Sequence, residues 1–167
     1  MHPKLNEYSQ EYRKNNQSRN KNKKQDNNSE IDKIIKKIEN VSSFSKIKPK
    51  DYADEDGYAA IIAKELKKLN TNQLRKFFGA VRNIEKKNEE WSDIEPELYL
   101  LKPKLAISLG RNLIPEDFFK VMNACLNKID VGETDDDDDE KKENFNNFVK
   151  FFEAIVAYHK YYESIGE

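Results

Sequence analysis

The chain has 167 residues, enough for one domain with appendages, and 37% of them are hydrophobic while another 37% are charged, against about 25% charged in an average soluble protein. That balance excludes a sheet of strands buried on both faces and leaves a core assembled from narrow apolar stripes. The net charge of −1 is an average over unlike zones: residues 1–28 carry +4, residues 130–140 carry −8 and the remainder +3, so electrostatics has to be argued helix by helix.

Five glycines and five prolines are too few for a turn-rich β protein and point to an all-α fold. No apolar run approaches the ~18 residues of a membrane span, and the start has no apolar block of a secretory signal, so a cytoplasmic location is expected. The single cysteine, Cys125, has no partner within the chain for a disulfide, and His2 and His159 stand at opposite ends with no zinc-ligand spacing. Phosphate-loop, dinucleotide, metalloprotease and nucleophile-elbow motifs are all missing, which favours a non-catalytic binder without a cofactor, metal or catalytic residue.

Residues 1–28 hold seven Asn, seven Lys or Arg and only Met1, Leu5, Tyr8 and Tyr12 as hydrophobics, too little apolar surface to offset ordering entropy. A disordered tail is expected there, and a compact bundle of five to six helices over residues 29–167. Ser29 with Asp32 caps a first helix bearing Ile31, Ile34, Ile35 and Ile38 on one face. Residues 41–56 read as a connection. Asp56-Gly57 opens a second helix with Tyr58, Ile61, Ile62, Leu66 and Leu69 inward and Lys64, Lys67 and Lys68 outward. The third, from Thr71 to about Asn88, places Leu74, Phe77, Phe78, Val81 and Ile84 on its core stripe.

Ser92 with Glu95 forms a capping-box pattern at the start of a fourth helix that carries Leu98, Leu101, Leu105 and Leu109, contains Pro103 and ends at Gly110. Pro115 at the first helical position begins a fifth, with Phe118, Met122, Cys125, Leu126 and Ile129 buried. An acidic loop at residues 131–140 separates it from the sixth, about Lys141 to Glu163, whose Phe145, Phe148, Phe151, Phe152, Ile155 and Val156 make it apolar over much of its girth. It is expected at the centre of the bundle.

The third helix carries the most informative constellation. Arg75, Gly79, Arg82 and Lys86 follow an i, i+4, i+7, i+11 spacing, which at 100° per residue gathers them within about 60° of one another. Residues 64–87 hold eight basic and two acidic residues, an excess of +6 where an ordinary solvated face mixes signs. Glycine inside a helix costs about 1 kcal/mol relative to alanine. Gly79 is therefore explained either by a phosphodiester backbone approaching the helix or by a neighbouring helix that needs the room.

A second basic set, Lys102, Lys104 and Arg111, surrounds Pro103. The Asp135–Glu140 run lacks the spacing and turn glycine of a calcium loop. His159, among Tyr158, Tyr161 and Tyr162, reads as a packed or hydrogen-bonded structural histidine, and Glu153 as a candidate buried acid.

Three segments in this order resemble the small all-helical subunit of type III-A CRISPR effector (Csm) complexes: Thr71-Asn72-Gln73-Leu74-Arg75-Lys76-Phe77-Phe78; Leu100-Leu101-Lys102-Pro103-Lys104-Leu105-Ala106 with Arg111 following; and Phe152-Glu153-Ala154-Ile155-Val156-Ala157-Tyr158-His159-Lys160. Ile107 stands where the family has an aromatic residue. The resemblance covers about residues 57–163 and implies a helical bundle without an active site. It also implies stacking in copies of itself beside the large polymerase-like subunit, with basic side chains against crRNA and target RNA. Arg75, Lys76, Lys102, Lys104 and Arg111 lie in or just after the matching segments and are its phosphate-contact candidates; Arg82 and Lys86 are added from helix geometry. The competing reading is a helical protein-interaction module without nucleic-acid binding, whose basic ridge meets an acidic partner.

Overall fold

Ser29 begins the fold as its spacing predicts: its Oγ accepts from the Asp32 amide at 3.1 Å and donates to the Asp32 carboxylate at 2.8 Å. This N-cap supports α1 (Glu30–Asn40), whose four isoleucines are all buried. The computed structural model describes residues 29–87 and 90–166; the expected tail, residues 1–28, lies outside them. No strand occurs among the described residues.

The connection after α1 is more ordered than its composition suggests. It holds a 3₁₀ turn (Phe44–Lys46) and a one-turn helix α2 (Pro49–Tyr52), because Phe44, Ile47 and Tyr52 all bury their side chains. That single turn is the member beyond the six longer helices that periodicity predicts. Next, α3 (Tyr58–Glu65) starts at Gly57, where a Cβ would sit 2.8 Å from the Tyr52 carbonyl and be forced out. It stops at Leu66, so Leu66 and Leu69, expected on its inward stripe, are buried by the turn that follows instead.

The third long helix, α4, spans Thr71–Lys87, and α5 spans Trp91–Gly110. The capping box expected at Ser92 does not form: α5 starts two residues earlier than such a cap would set it because Trp91 inserts into the core, leaving Ser92 exposed within the first turn and Glu90 at the N-cap. The helix runs on through Pro96 and Pro103, both on its exposed side. The Tyr99 carbonyl deprived of its ladder bond by Pro103 thus belongs to a residue at the surface, where solvent compensates. In α6 (Glu116–Leu126) Pro115 takes the N-cap rather than the first helical position.

The last helix, α7 (Asp138–Ile165), is the longest and packs against α3, α4, α5, α2 and the 3₁₀ turn, the central position expected of it. It starts earlier than predicted. Asp137 caps the Glu140 amide at 3.2 Å, and Asp138, Asp139 and Glu140 fill the first turn, where negative charge meets the positive end of the helix dipole. Half of the acidic run is therefore helical, and the loop is residues 131–137 rather than 131–140.

Phe152 is the hub of the core, with the rings of Phe77, Phe78, Phe118 and Phe148 at 5.1–6.2 Å. Burying one such side chain contributes about 1.5–3 kcal/mol. One polar knot crosses this core. Asn144, fully buried on α7, accepts from the Ser45 amide at 2.8 Å and donates to the Ile129 and Val131 carbonyls at 3.1 and 2.8 Å. It ties the 3₁₀ turn and the segment after α6 to the first turns of α7. Glu153, a candidate buried acid on sequence, is exposed instead.

Candidate nucleic-acid interface

Helix α4 sorts its side chains by angle. Leu74, Val81 and Ile84 are buried, Phe77 and Phe78 pack partly exposed against the core, and Arg75, Gly79, Arg82 and Lys86 lie on the side turned away from that stripe. Arg75 and Lys86 are exposed. Arg82 is not free: its guanidinium pairs with Glu85 one turn on at 2.5 Å, an i, i+3 ion pair with both partners about one-third exposed. A Cβ added at Gly79 would meet nothing within 4 Å. Among the described residues no neighbouring helix needs that glycine, which removes the packing explanation for it within them.

The two basic sets meet only in part. Lys76 on α4 and Lys104 and Arg111 at the end of α5 share the rim of a groove of about 360 Å³ between these helices, floored by Phe77, Leu105 and Phe118. Lys76 is about 90° around α4 from the Arg82–Lys86 ridge, so ridge and groove flank one side of the bundle. Lys102 does not join them. It turns toward α6, donating to Asn127 Oδ1 at 2.9 Å with its ammonium 5.3 Å from the Tyr99 ring centre. Successive helix positions diverge by 100°, which is why Lys102 and Lys104 serve different faces.

Arg75 belongs to a third cluster that spacing alone does not reveal. The turn between α3 and α4 brings Lys67 and Lys68 beside Arg75, and the C-terminal part of α7 adds His159, Tyr162 and Glu163, enclosing an open groove of about 690 Å³. The available signal was the outward Lys67 and Lys68 followed by a tight Asn70-Thr71 turn. His159 is packed, as expected: it is 5% exposed, and among the described residues neither ring nitrogen has a hydrogen-bond partner.

Other reactive groups are held inert. Burial pushes the Cys125 thiol far up, so the thiolate that nucleophilic chemistry needs is suppressed. The Tyr99 phenol, donating to Asp130 at 2.6 Å, is pushed up to about 12, first by that hydrogen bond and then by desolvation. Among the described residues, no group of three His, Cys, Asp or Glu side chains gathers where it would hold a metal ion, and no helix is long and apolar enough to cross a membrane.

Comparison with curated proteins and with solved structures gives no match. The model of one family, Csm2 Type III-A, matches residues 49–164, from α2 to the end of α7. That span takes in α4, the Pro103 helix and the aromatic central helix, the three elements that carry the sequence resemblance. The chain belongs to the Csm2 Type III-A family, the small subunit of type III-A CRISPR Csm complexes.

Proposed function

We propose that this small subunit is a non-catalytic clamp that holds the backbone of the crRNA–target RNA duplex in the cytoplasm without reading its sequence. Arg75, Lys76, Arg82, Lys86, Lys104 and Arg111 are its phosphate contacts; Lys102, turned toward α6, contributes at the margin. The observation that carries this reading is the open surface at Gly79 between Arg75 and Arg82. A residue that costs helix stability and serves no packing among the described residues fits a backbone that must come close, and guanidinium groups fork onto phosphate oxygens from either side. The Arg82–Glu85 pair supports rather than opposes this: it is partly exposed, holds the guanidinium in place and is weak enough to be exchanged for a phosphate.

The clamp docks on the other subunits, among them the large polymerase-like subunit and copies of itself. Leu100 and Ile107, 58% and 60% exposed on α5 and two turns apart on one side of it, support a protein contact there. The test is RNA binding across a salt series by wild type and by Lys86→Glu/Lys104→Glu/Arg111→Glu. Wild type should lose affinity as salt rises, with a slope that grows by about 0.7–0.9 per phosphate neutralised, and the variant should bind more weakly with a shallower slope. Equal affinity and slope in the two proteins would leave the protein-interaction reading.

A further inference from the structure

The groove between the α3–α4 turn and the C-terminal part of α7 combines two features that folding alone does not explain. Its walls carry Lys67, Lys68 and Arg75 and one carboxylate, Glu163, which accepts from the Thr71 hydroxyl at 3.0 Å. It is also lined by His159, 95% buried, with both ring nitrogens unpaired. Native chains leave few buried polar groups without partners. A leucine would fill this place without that penalty, and a surface residue would not need to be buried.

The donor set narrows what enters. Two ammonium groups and a guanidinium offer hydrogens only, and an imidazole carries an N–H in either neutral tautomer. A tetrahedral oxyanion, which offers acceptors only, is their complement, whereas a metal cation would be repelled by the same three charges. A lone phosphate would leave most of the 690 Å³ empty, and the partly exposed Tyr162 ring stands at the same groove, suited to stacking on a base.

We propose that this groove binds the phosphate of a nucleotide, with Lys67, Lys68 and Arg75 around the oxyanion and the His159 ring, whose nitrogens are covered in this structure, turning to donate to it. It goes beyond the duplex clamp, sharing only Arg75 with it, and the phosphate comes either from an RNA backbone or from a free nucleotide.

The histidines make the test direct, because the chain has two and His2 is far from the groove in sequence. Imidazole nitrogen spectra of the ¹⁵N-labelled full chain are recorded during separate titrations with inorganic phosphate, adenosine monophosphate and a short RNA oligomer. The expected result is a saturable shift of the His159 signals with phosphate and with adenosine monophosphate, weakened about tenfold or more in Lys68→Ala/Arg75→Ala. The RNA arm separates the sources: RNA moving the same signals assigns a backbone phosphate, and only the mononucleotide moving them assigns a free ligand.

His159→Leu, checked for helix content by circular dichroism, should lose about tenfold in calorimetric affinity for adenosine monophosphate. No saturable His159 shift with any of the three probes, or a shift of equal midpoint in Lys68→Ala/Arg75→Ala, overturns the proposal. The Lys86→Glu/Lys104→Glu/Arg111→Glu chain keeps the two readings apart, since it should lose RNA at the clamp while the His159 response to phosphate persists.

Discussion

Helix α7 buries two polar side chains, Asn144 near its start and His159 near its end, about 22 Å apart along the axis at 1.5 Å per residue. Asn144 makes three hydrogen bonds to the backbone of two segments, the 3₁₀ turn and the stretch after α6; among the described residues His159 makes none. Similar burial thus conceals a contrast: one side chain is spent on joining elements, and the other, which lines a cationic groove, joins none among the described residues. Asn144→Leu should break the first role outright. The Ser45 amide and the Val131 carbonyl lose their partner while the Ile129 carbonyl keeps the Val131 amide, and at about 1–3 kcal/mol for each buried unsatisfied group the loss should be about 3 kcal/mol in urea unfolding. His159→Leu removes two unpaired nitrogens and should leave stability unchanged or raise it by about 1 kcal/mol. If His159→Leu is as damaging as Asn144→Leu, the two residues are alike and the contrast is lost.

The same contrast explains what could be read before any coordinates. The six long helices follow from apolar periodicity, and the Ser29 cap from a residue whose partner is three positions away. Both signals are local. The ordered turn over Phe44–Tyr52 was not legible, because its apolar residues bury against distant elements without helical spacing. Ser92 failed as a cap since a single tryptophan one residue earlier gains more from burial than a hydroxyl gains from one hydrogen bond.

The candidate interface divides along similar lines. Arg75, Arg82 and Lys86 share a face because they share a helix, and that is computable from numbering alone. Lys76 meeting Lys104 and Arg111, Lys102 turning away and Lys67 and Lys68 closing on Arg75 all depend on how helices are placed against one another.

On α4 the comparison moves from buried groups to an open backbone. Gly79→Ala meets no atom within 4 Å, so only the helix propensity changes, and the variant should be about 0.5–1 kcal/mol more stable. Its RNA affinity should fall nonetheless, since the added methyl stands where a phosphate backbone approaches. A stabilised variant with undiminished RNA binding would move the duplex off this ridge and onto the α4–α5 groove.

The smallest effect belongs to the surface counterpart of the Asn144 knot, the Tyr99–Asp130 bond. Its distance, 2.6 Å, is shorter than any bond Asn144 makes, yet Tyr99 is 48% exposed and water competes for both partners. Tyr99→Phe should therefore cost less than about 1 kcal/mol near neutral pH. Its pH dependence identifies the bond. Folding favours the neutral phenol, raising it from 10.0 to about 12, so the contribution is complete below pH 10 and is lost as pH rises through 12. Tyr52, Tyr58 and Tyr158 are raised as well, so both proteins weaken in alkali. The gap between wild type and Tyr99→Phe should nevertheless close between pH 10 and 12 in urea unfolding. A gap that stays constant across that range would mean that the phenylalanine variant loses packing rather than the hydrogen bond to Asp130.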